Sequence, residues 1–164
     1  MASIRRRSDK WQARITRRGF TPVTKSFLNK ADAERWARQA EAQLDQGTFV
    51  NTAEAQRTTI AEIIERYRLE VTPKKKGAKQ EGYRLNVLNR SKLSRLTLAT
   101  TRSADIAKYR DERIAVVAAN TVKNELNTLS AIFEDARGEL GLIATNPCRA
   151  VKRPAQPRGR TRRL

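Results

Sequence analysis

Histidine is absent from the 164 residues, and cysteine occurs once, at Cys148. Without histidine there is no Cys/His zinc finger, no Ser-His or Cys-His nucleophile pair and no imidazole general base. A lone cysteine excludes an intrachain disulfide and fits a reducing, cytoplasmic setting. No apolar run approaches the roughly 20 residues that a membrane span needs. The start, Met1-Ala2-Ser3-Ile4-Arg5-Arg6-Arg7, is basic but is followed by no apolar stretch, so it does not read as a secretory signal. The expectation is therefore no catalytic residue, no metal, no cofactor and no membrane.

Acid is the other scarcity: 17 Asp and Glu stand against 35 Lys and Arg, a net charge of +18. Such an excess on a chain that can still fold points to a polyanionic partner. Nucleic acid fits best, because each cation that neutralises a phosphate releases condensed counterions. A basic amphipathic membrane binder would need a long apolar stripe backed by a basic face, and none is present. The hydrophobic content of 38% suffices for modest cores.

Residues 1–30 hold nine Lys and Arg and one acid, Asp9. Ser8-Asp9 is a turn signal, after which Trp11, Ala13 and Ile15 alternate with Gln12, Arg14 and Thr16, as strand residues do. Gly19 and Pro22 punctuate the next turn, and Val23 to Phe27 reads as a third strand. Trp11 and Ile15 then share the packed face, and Gln12 and Arg14 the opposite one. Asn29 is placed to cap a helix with Asp32 in its first turn, and Ala33, Trp36, Ala37, Ala40 and Leu44 recur at helical spacing up to Gly47. The spacing predicts an α+β module, a three-stranded antiparallel sheet plus one helix, over 1–47.

Residues 48–57 show no clear period and read as a linker. From 58 to 150 the pattern is all-α, a bundle of four to five helices. Thr59-Ile60-Ala61-Glu62 is a capping-box sequence that opens the first, with Ile60, Ile63, Ile64, Tyr67 and Val71 on one side and Pro73 as its stop. The run Lys74-Lys75-Lys76 with Lys79 leads into a second helix carrying Tyr83, Leu85, Val87 and Leu88. A third is expected from Ser103 to Ala118, and the last, capped by Asn120 or Thr121, has the stripe Val122, Leu126, Leu129, Phe133, Ala136. Residues 151–164 hold Lys152, Arg153 and four further arginines without an acid, and read as an extended basic connector.

Taken in order, these residues resemble the N-terminal half of a phage-type integrase, a tyrosine site-specific recombinase. Residues 1–47 are similar to its arm-type DNA-binding domain through the Arg-rich start, Lys10-Trp11-Gln12-Ala13-Arg14, Lys25-Ser26-Phe27 and Ala31-Asp32-Ala33-Glu34-Arg35-Trp36-Ala37. Residues 58–150 are similar to the core-binding domain, a SAM-like bundle. The matches are Thr59-Ile60-Ala61-Glu62, the Pro73–Lys79 run, Ala104-Asp105-Ile106 with Tyr109 and Arg113, Thr121-Val122, Glu125-Leu126 and Asn146-Pro147. The resemblance implies a sheet that enters a major groove at arm-type sites and a bundle that embraces core-type sites on double-stranded DNA. It implies self-association on DNA through the full-length integrase, and a catalytic domain, absent here, lying beyond the 151–164 connector. Relatives often read Thr-Val-Asn-Arg-Glu-Leu where this chain has Thr121-Val122-Lys123-Asn124-Glu125-Leu126, so either Lys123 or Asn124 is the contact.

The expected function is sequence-specific DNA binding in recombination and integration, without enzymatic activity of its own. The alternatives are a stand-alone accessory or repressor-like protein on recombination sites, and a basic RNA-binding protein. Gln12 and Arg14 are the candidate base readers, since amide and guanidinium groups can pair bidentately with base edges. Arg5, Arg6, Arg7 and Lys25 are candidate phosphate contacts of the first module, and Thr16 and Arg18 are further DNA-binding candidates there. Lys74, Lys75, Lys76, Lys79, Thr121, Lys123, Asn124, Lys152 and Arg153 are the candidates of the second part. Tyr67, Tyr83 and Tyr109 sit beside apolar neighbours and are expected to be buried or half-buried rather than nucleophilic.

Overall fold

The computed structural model describes residues 2–17, 22–46 and 49–155, so Arg18, Gly19, Gly47 and the arginines beyond residue 155 lie outside the described residues. The chain divides into two compact units, Met1–Asn51 and Thr52–Leu164.

In the first unit β1 (Ala2–Arg7), β2 (Lys10–Ile15) and β3 (Val23–Phe27) form an antiparallel sheet in the order β1-β2-β3, crossed by α1 (Lys30–Asp45). Ser8 takes a positive φ of 54° in the β1–β2 turn, a conformation that a short polar side chain tolerates. Ala13 and Ile15 are buried under Ala33, Ala37, Ala40 and Leu44 of α1, which recur in steps of four, three and four. Trp36 packs at the margin, its ring 5.7 Å from that of Phe27. Glu41 of α1 accepts from the Ala2 amide at 2.6 Å, which ties the edge strand to the helix. Asn29 holds the N-cap position, but no helix amide donates to its side chain; its own amide turns to Asp32.

The second unit contains α2 (Thr52–Ala55), α3 (Ile60–Glu70), α4 (Ala78–Arg90), α5 (Ser103–Ile114) and α6 (Ala119–Gly138), with 3-10 turns at Thr72–Lys74 and Lys92–Arg95. The capping box forms as the sequence predicts: Glu62 accepts from the Thr59 amide at 2.6 Å, while Thr59 Oγ1 accepts from the Glu62 amide at 3.3 Å. The Thr59 amide, and then its hydroxyl, which donates to the same carboxylate at 2.9 Å, hold the Glu62 carboxyl below its ordinary pKa. Thr52–Ala55, where the sequence shows no period, form a helical turn because Ala55 is buried in this unit's core. α6 lies against α3, α4 and α5 and buries Val122, Leu126, Leu129, Ile132, Phe133 and Ala136.

Three local expectations change, at the α5–α6 junction, at Tyr83 and after Ala150. α5 stops at Ile114 rather than Ala118, and α6 begins at Ala119 with Ala118 at its N-cap, so neither Asn120 nor Thr121 caps it. Tyr83 is 62% exposed, because α4 turns positions 81, 85 and 88 inward and places 83 on the outer side. Asp105 accepts from the Arg102 amide at 2.9 Å, while Thr101 and Ser103 direct their hydroxyls to the carbonyls of Thr97 and Pro147. The residues after Ala150 do not leave the fold at once: Val151 is buried, and Arg153 donates to the carbonyls of Cys148 and Val151. Cys148 itself is fully buried, and burial pushes its thiol up to about 12.

Sequence periodicity gave no warning of the polar centre of this unit. Glu125, 1% exposed, accepts from the Tyr109 hydroxyl at 2.7 Å and from Nε and Nη2 of Arg113, one edge of its guanidinium, at 3.0 and 2.6 Å. Burial, then the bond to Glu125, raises the Tyr109 pKa, so the phenol stays protonated. Removing one member leaves a buried charge or donor without its partner. Glu125→Ala should therefore cost on the order of 3–5 kcal/mol in urea unfolding, whereas the triple change Tyr109→Phe, Arg113→Met, Glu125→Leu should cost clearly less. A single change costing under about 1 kcal/mol would show that the network does not hold α5 to α6.

Candidate nucleic-acid interface

In an antiparallel sheet directly paired residues point to the same side, so the register sorts every side chain. The pairs Ile4–Ala13–Lys25, Ala2–Ile15–Val23 and Arg6–Trp11–Phe27 belong to the side covered by α1. The rows Ser3–Arg14–Thr24 and Arg5–Gln12–Ser26, with the pair Arg7–Lys10, belong to the free side. Arg5, Arg7, Lys10 and Arg14 are all exposed there, with no acid among the described residues of that face. With strands about 4.8 Å apart and like-facing residues about 6.7 Å apart, the patch measures about 10 by 13 Å. A B-DNA major groove about 12 Å wide admits such a ribbon.

The same register separates the candidates. Arg6 and Lys25 face the helix side, and Lys25 Nζ lies 5.5 Å from the centroid of the Phe27 ring. They can reach phosphate only from the rim of the sheet. Arg5 and Arg7 join Gln12 and Arg14 on the free face. Lys10 was missed as a site residue, although its parity with Gln12 and Arg14 places it there. Thr16 is exposed just past β2, and the neighbouring Arg17 pairs with Asp45 at 2.8 Å. Gln12 is half-buried, and its Oε1 accepts from Nε and Nη2 of Arg5, both at 3.3 Å.

In the second unit Lys74, Lys76 and Lys79 are exposed around the start of α4. Lys75 is exposed as well, but its charge is already engaged. Its ammonium donates to the Tyr67 hydroxyl at 2.6 Å and to Glu81 Oε1 at 2.8 Å, and stands 4.7 Å from the Tyr67 ring centroid. Burial works against the charge, but the bonds to Glu81 and Tyr67 together outweigh it and raise the lysine's pKa. The sequence could not distinguish this lysine from its neighbours, because its partners lie six and eight residues away.

Thr121 sits in the first turn of α6 and is exposed; Lys123 and Asn124 fall in the second turn, half-buried. Arg153, expected in a free connector, donates from Nε to Asn127 Oδ1 at 3.3 Å. It is thereby brought beside Asn127, one turn beyond Lys123 on the same stripe, a residue the sequence reading missed. Lys152 is exposed, and its carbonyl accepts from Arg110 at 3.0 Å. A separate concavity of about 600 Å³ is lined by Arg102, Arg137 and Arg149, but the last two are engaged by Glu134. Among the described residues no group of His, Cys, Asp or Glu could hold a metal ion, and no helix is long and apolar enough to cross a membrane.

The chain is 34% identical over 165 residues to a Haemophilus influenzae protein named integrase/recombinase, a match covering 99% of this chain and 43% of that protein. A shufflon-specific DNA recombinase of Escherichia coli is 37% identical over 114 residues, covering 65% of this chain and 30% of the relative. A second Haemophilus influenzae integrase/recombinase is 31% identical over 107 residues, with 65% and 35% covered. The chain thus spans less than half the length of each of these relatives. No family model matches it, and no solved structure matches it significantly.

The placement of Lys75 separates structure from binding. Lys75→Met should lower stability by about 1–3 kcal/mol, since Glu81 would keep a buried carboxylate without its cation. Lys74→Met, Lys76→Met and Lys79→Met should leave the melting temperature within about a degree of the parent chain. Equal melting temperatures for all four variants would show that Lys75 contributes no more to stability than its neighbours.

Proposed function

Because this chain is a relative of the tyrosine recombinases, we propose that it is a DNA-recognition segment acting in site-specific recombination and integration. In this reading each unit binds double-stranded DNA sequence-specifically. Residues 1–47 take arm-type sites through the free face of the sheet, and residues 58–150 take core-type sites. Residues 48–57 join the two, and 151–164 lead toward a catalytic domain. The work is done in the cytoplasm, with self-association on DNA through the full-length integrase.

The observation that carries this is the free sheet face. Arg5, Arg7, Lys10 and Arg14 converge on a flat patch of groove width, with Gln12 at its middle. Around α6 the supporting residues are Thr121, Lys123, Asn124 and Asn127, with Arg153 beside them, and Lys74, Lys76 and Lys79 add charge near α4. A structural role suits two of the tyrosines: Tyr109 is hydrogen-bonded to Glu125 and Tyr67 to Lys75, in partly or fully buried settings.

Binding to duplex DNA should be steeply salt-dependent. With about six phosphates neutralised, affinity should fall roughly a thousandfold between 50 and 200 mM salt. The titration should be run on duplexes from recombination sites, on unrelated duplexes and on structured RNA. Preference for the site duplex supports the reading. A flat salt response, or equal affinity for RNA and every duplex, would sink it.

A further inference from the structure

Within the free sheet face the cations differ in one respect that bears on sequence recognition. Arg7, Lys10 and Arg14 have no ion-pair or hydrogen-bond partner among the described side chains, whereas Arg5 is held by Gln12 across the β1–β2 pair. We propose that Arg5 is the guanine-reading residue of this sheet, and that Gln12 is its positioning residue rather than a base reader. The proposal rests on the reading of this face as a DNA surface and goes beyond it.

Donor geometry assigns the two roles. A guanidinium carries five N–H donors in a fixed plane and no acceptor. Gln12 Oε1 takes one hydrogen from Nε and one from Nη2 of Arg5, on the side edge of the fork. The far edge, one hydrogen each on Nη1 and Nη2, is left pointing away in parallel. That is the donor pair which matches O6 and N7 of guanine in the major groove. Because the guanidinium can only donate, the amide of Gln12 must present its oxygen to Arg5 and turn its NH2 group outward.

The same bond disqualifies Gln12 from the role its residue type suggests. Bidentate pairing with adenine needs both the oxygen and the nitrogen of the amide. Here the oxygen is committed to Arg5. Ser26, the partner of Gln12 on β3, is short and leaves the row open on that side. Free arginine and lysine side chains lose rotamer freedom when they bind, and that loss weakens readout; a guanidinium fixed beforehand avoids part of it. Arg7, Lys10 and Arg14 keep that freedom and suit phosphates, which tolerate many approach geometries.

The test uses the whole chain and a pool of duplexes of random sequence, followed by duplexes differing at single base pairs. The readout is the ratio of affinities for guanine and for each other base at one position, which neither overall charge nor stability changes. The parent chain should prefer guanine at one position of its first-unit site by about five- to a hundredfold. Arg5→Lys keeps the charge and should abolish that ratio. Gln12→Ala should reduce it by about threefold or more. Arg14→Ala should weaken every duplex and leave the ratio intact. The proposal is overturned if Arg5→Lys keeps the guanine ratio, if Arg14→Ala removes it, or if the parent chain binds duplexes without preferring any base. A parent chain that binds no duplex at all would overturn the DNA reading itself, and this inference with it.

Discussion

One helix can cover only one side of a three-stranded sheet, and that constraint organises the first unit. Ala13 and Ile15 must lie under Ala37, Ala40 and Leu44 for the unit to have any core. With a side-chain period of two, their burial forces Gln12 and Arg14 outward, and the antiparallel register then carries Arg5, Arg7 and Lys10 to the same side. A slip of one residue in β1 would exchange Arg5 and Arg7 for Ile4 and Arg6. It would bury charge and expose the apolar side chain at once. The hydrophobic contact therefore fixes the charge pattern, although no cation takes part in it.

How much of this could be read from sequence depended on how far apart the partners lie. Alternation over Trp11 to Ile15 and the four-residue box Thr59–Glu62 are local signals, and the structure contains both. The stripe Val122 to Ala136 is equally local and is buried throughout. Glu125 and Arg113, twelve residues apart, look like ordinary surface charges until α5 and α6 pack and leave both facing inward. Lys75 likewise differs from Lys74 and Lys76 only because Tyr67 and Glu81 come from the two flanking helices. Composition ranks these lysines equally, and tertiary contact does not.

Cap positions were the weakest part of the reading, for a related reason. Asn29 and Thr121 are residue types that favour caps, yet the side chain of neither accepts from a helix amide at a helix start. α6 instead begins at Ala119, with Ala118 as its N-cap, because Val122, four residues beyond the cap, must reach the core between α3, α4 and α5. The preference of a side chain for an N-cap amounts to about 1 kcal/mol. Burial of one valine is worth about 1.5–3 kcal/mol, so the packing sets the start of the helix.

The position of Cys148 has a practical corollary for anyone working with the molecule. Its sulfur is the single thiol of the chain, it is enclosed by the second core, and it stays protonated through the pH range used in solution work. A reagent that needs thiolate finds none on the folded surface. A cysteine introduced elsewhere, on the free sheet face or along α6, would therefore be the one reactive position. A dye, spin label or cross-linker could then be attached at a chosen place without first removing a native residue from the core.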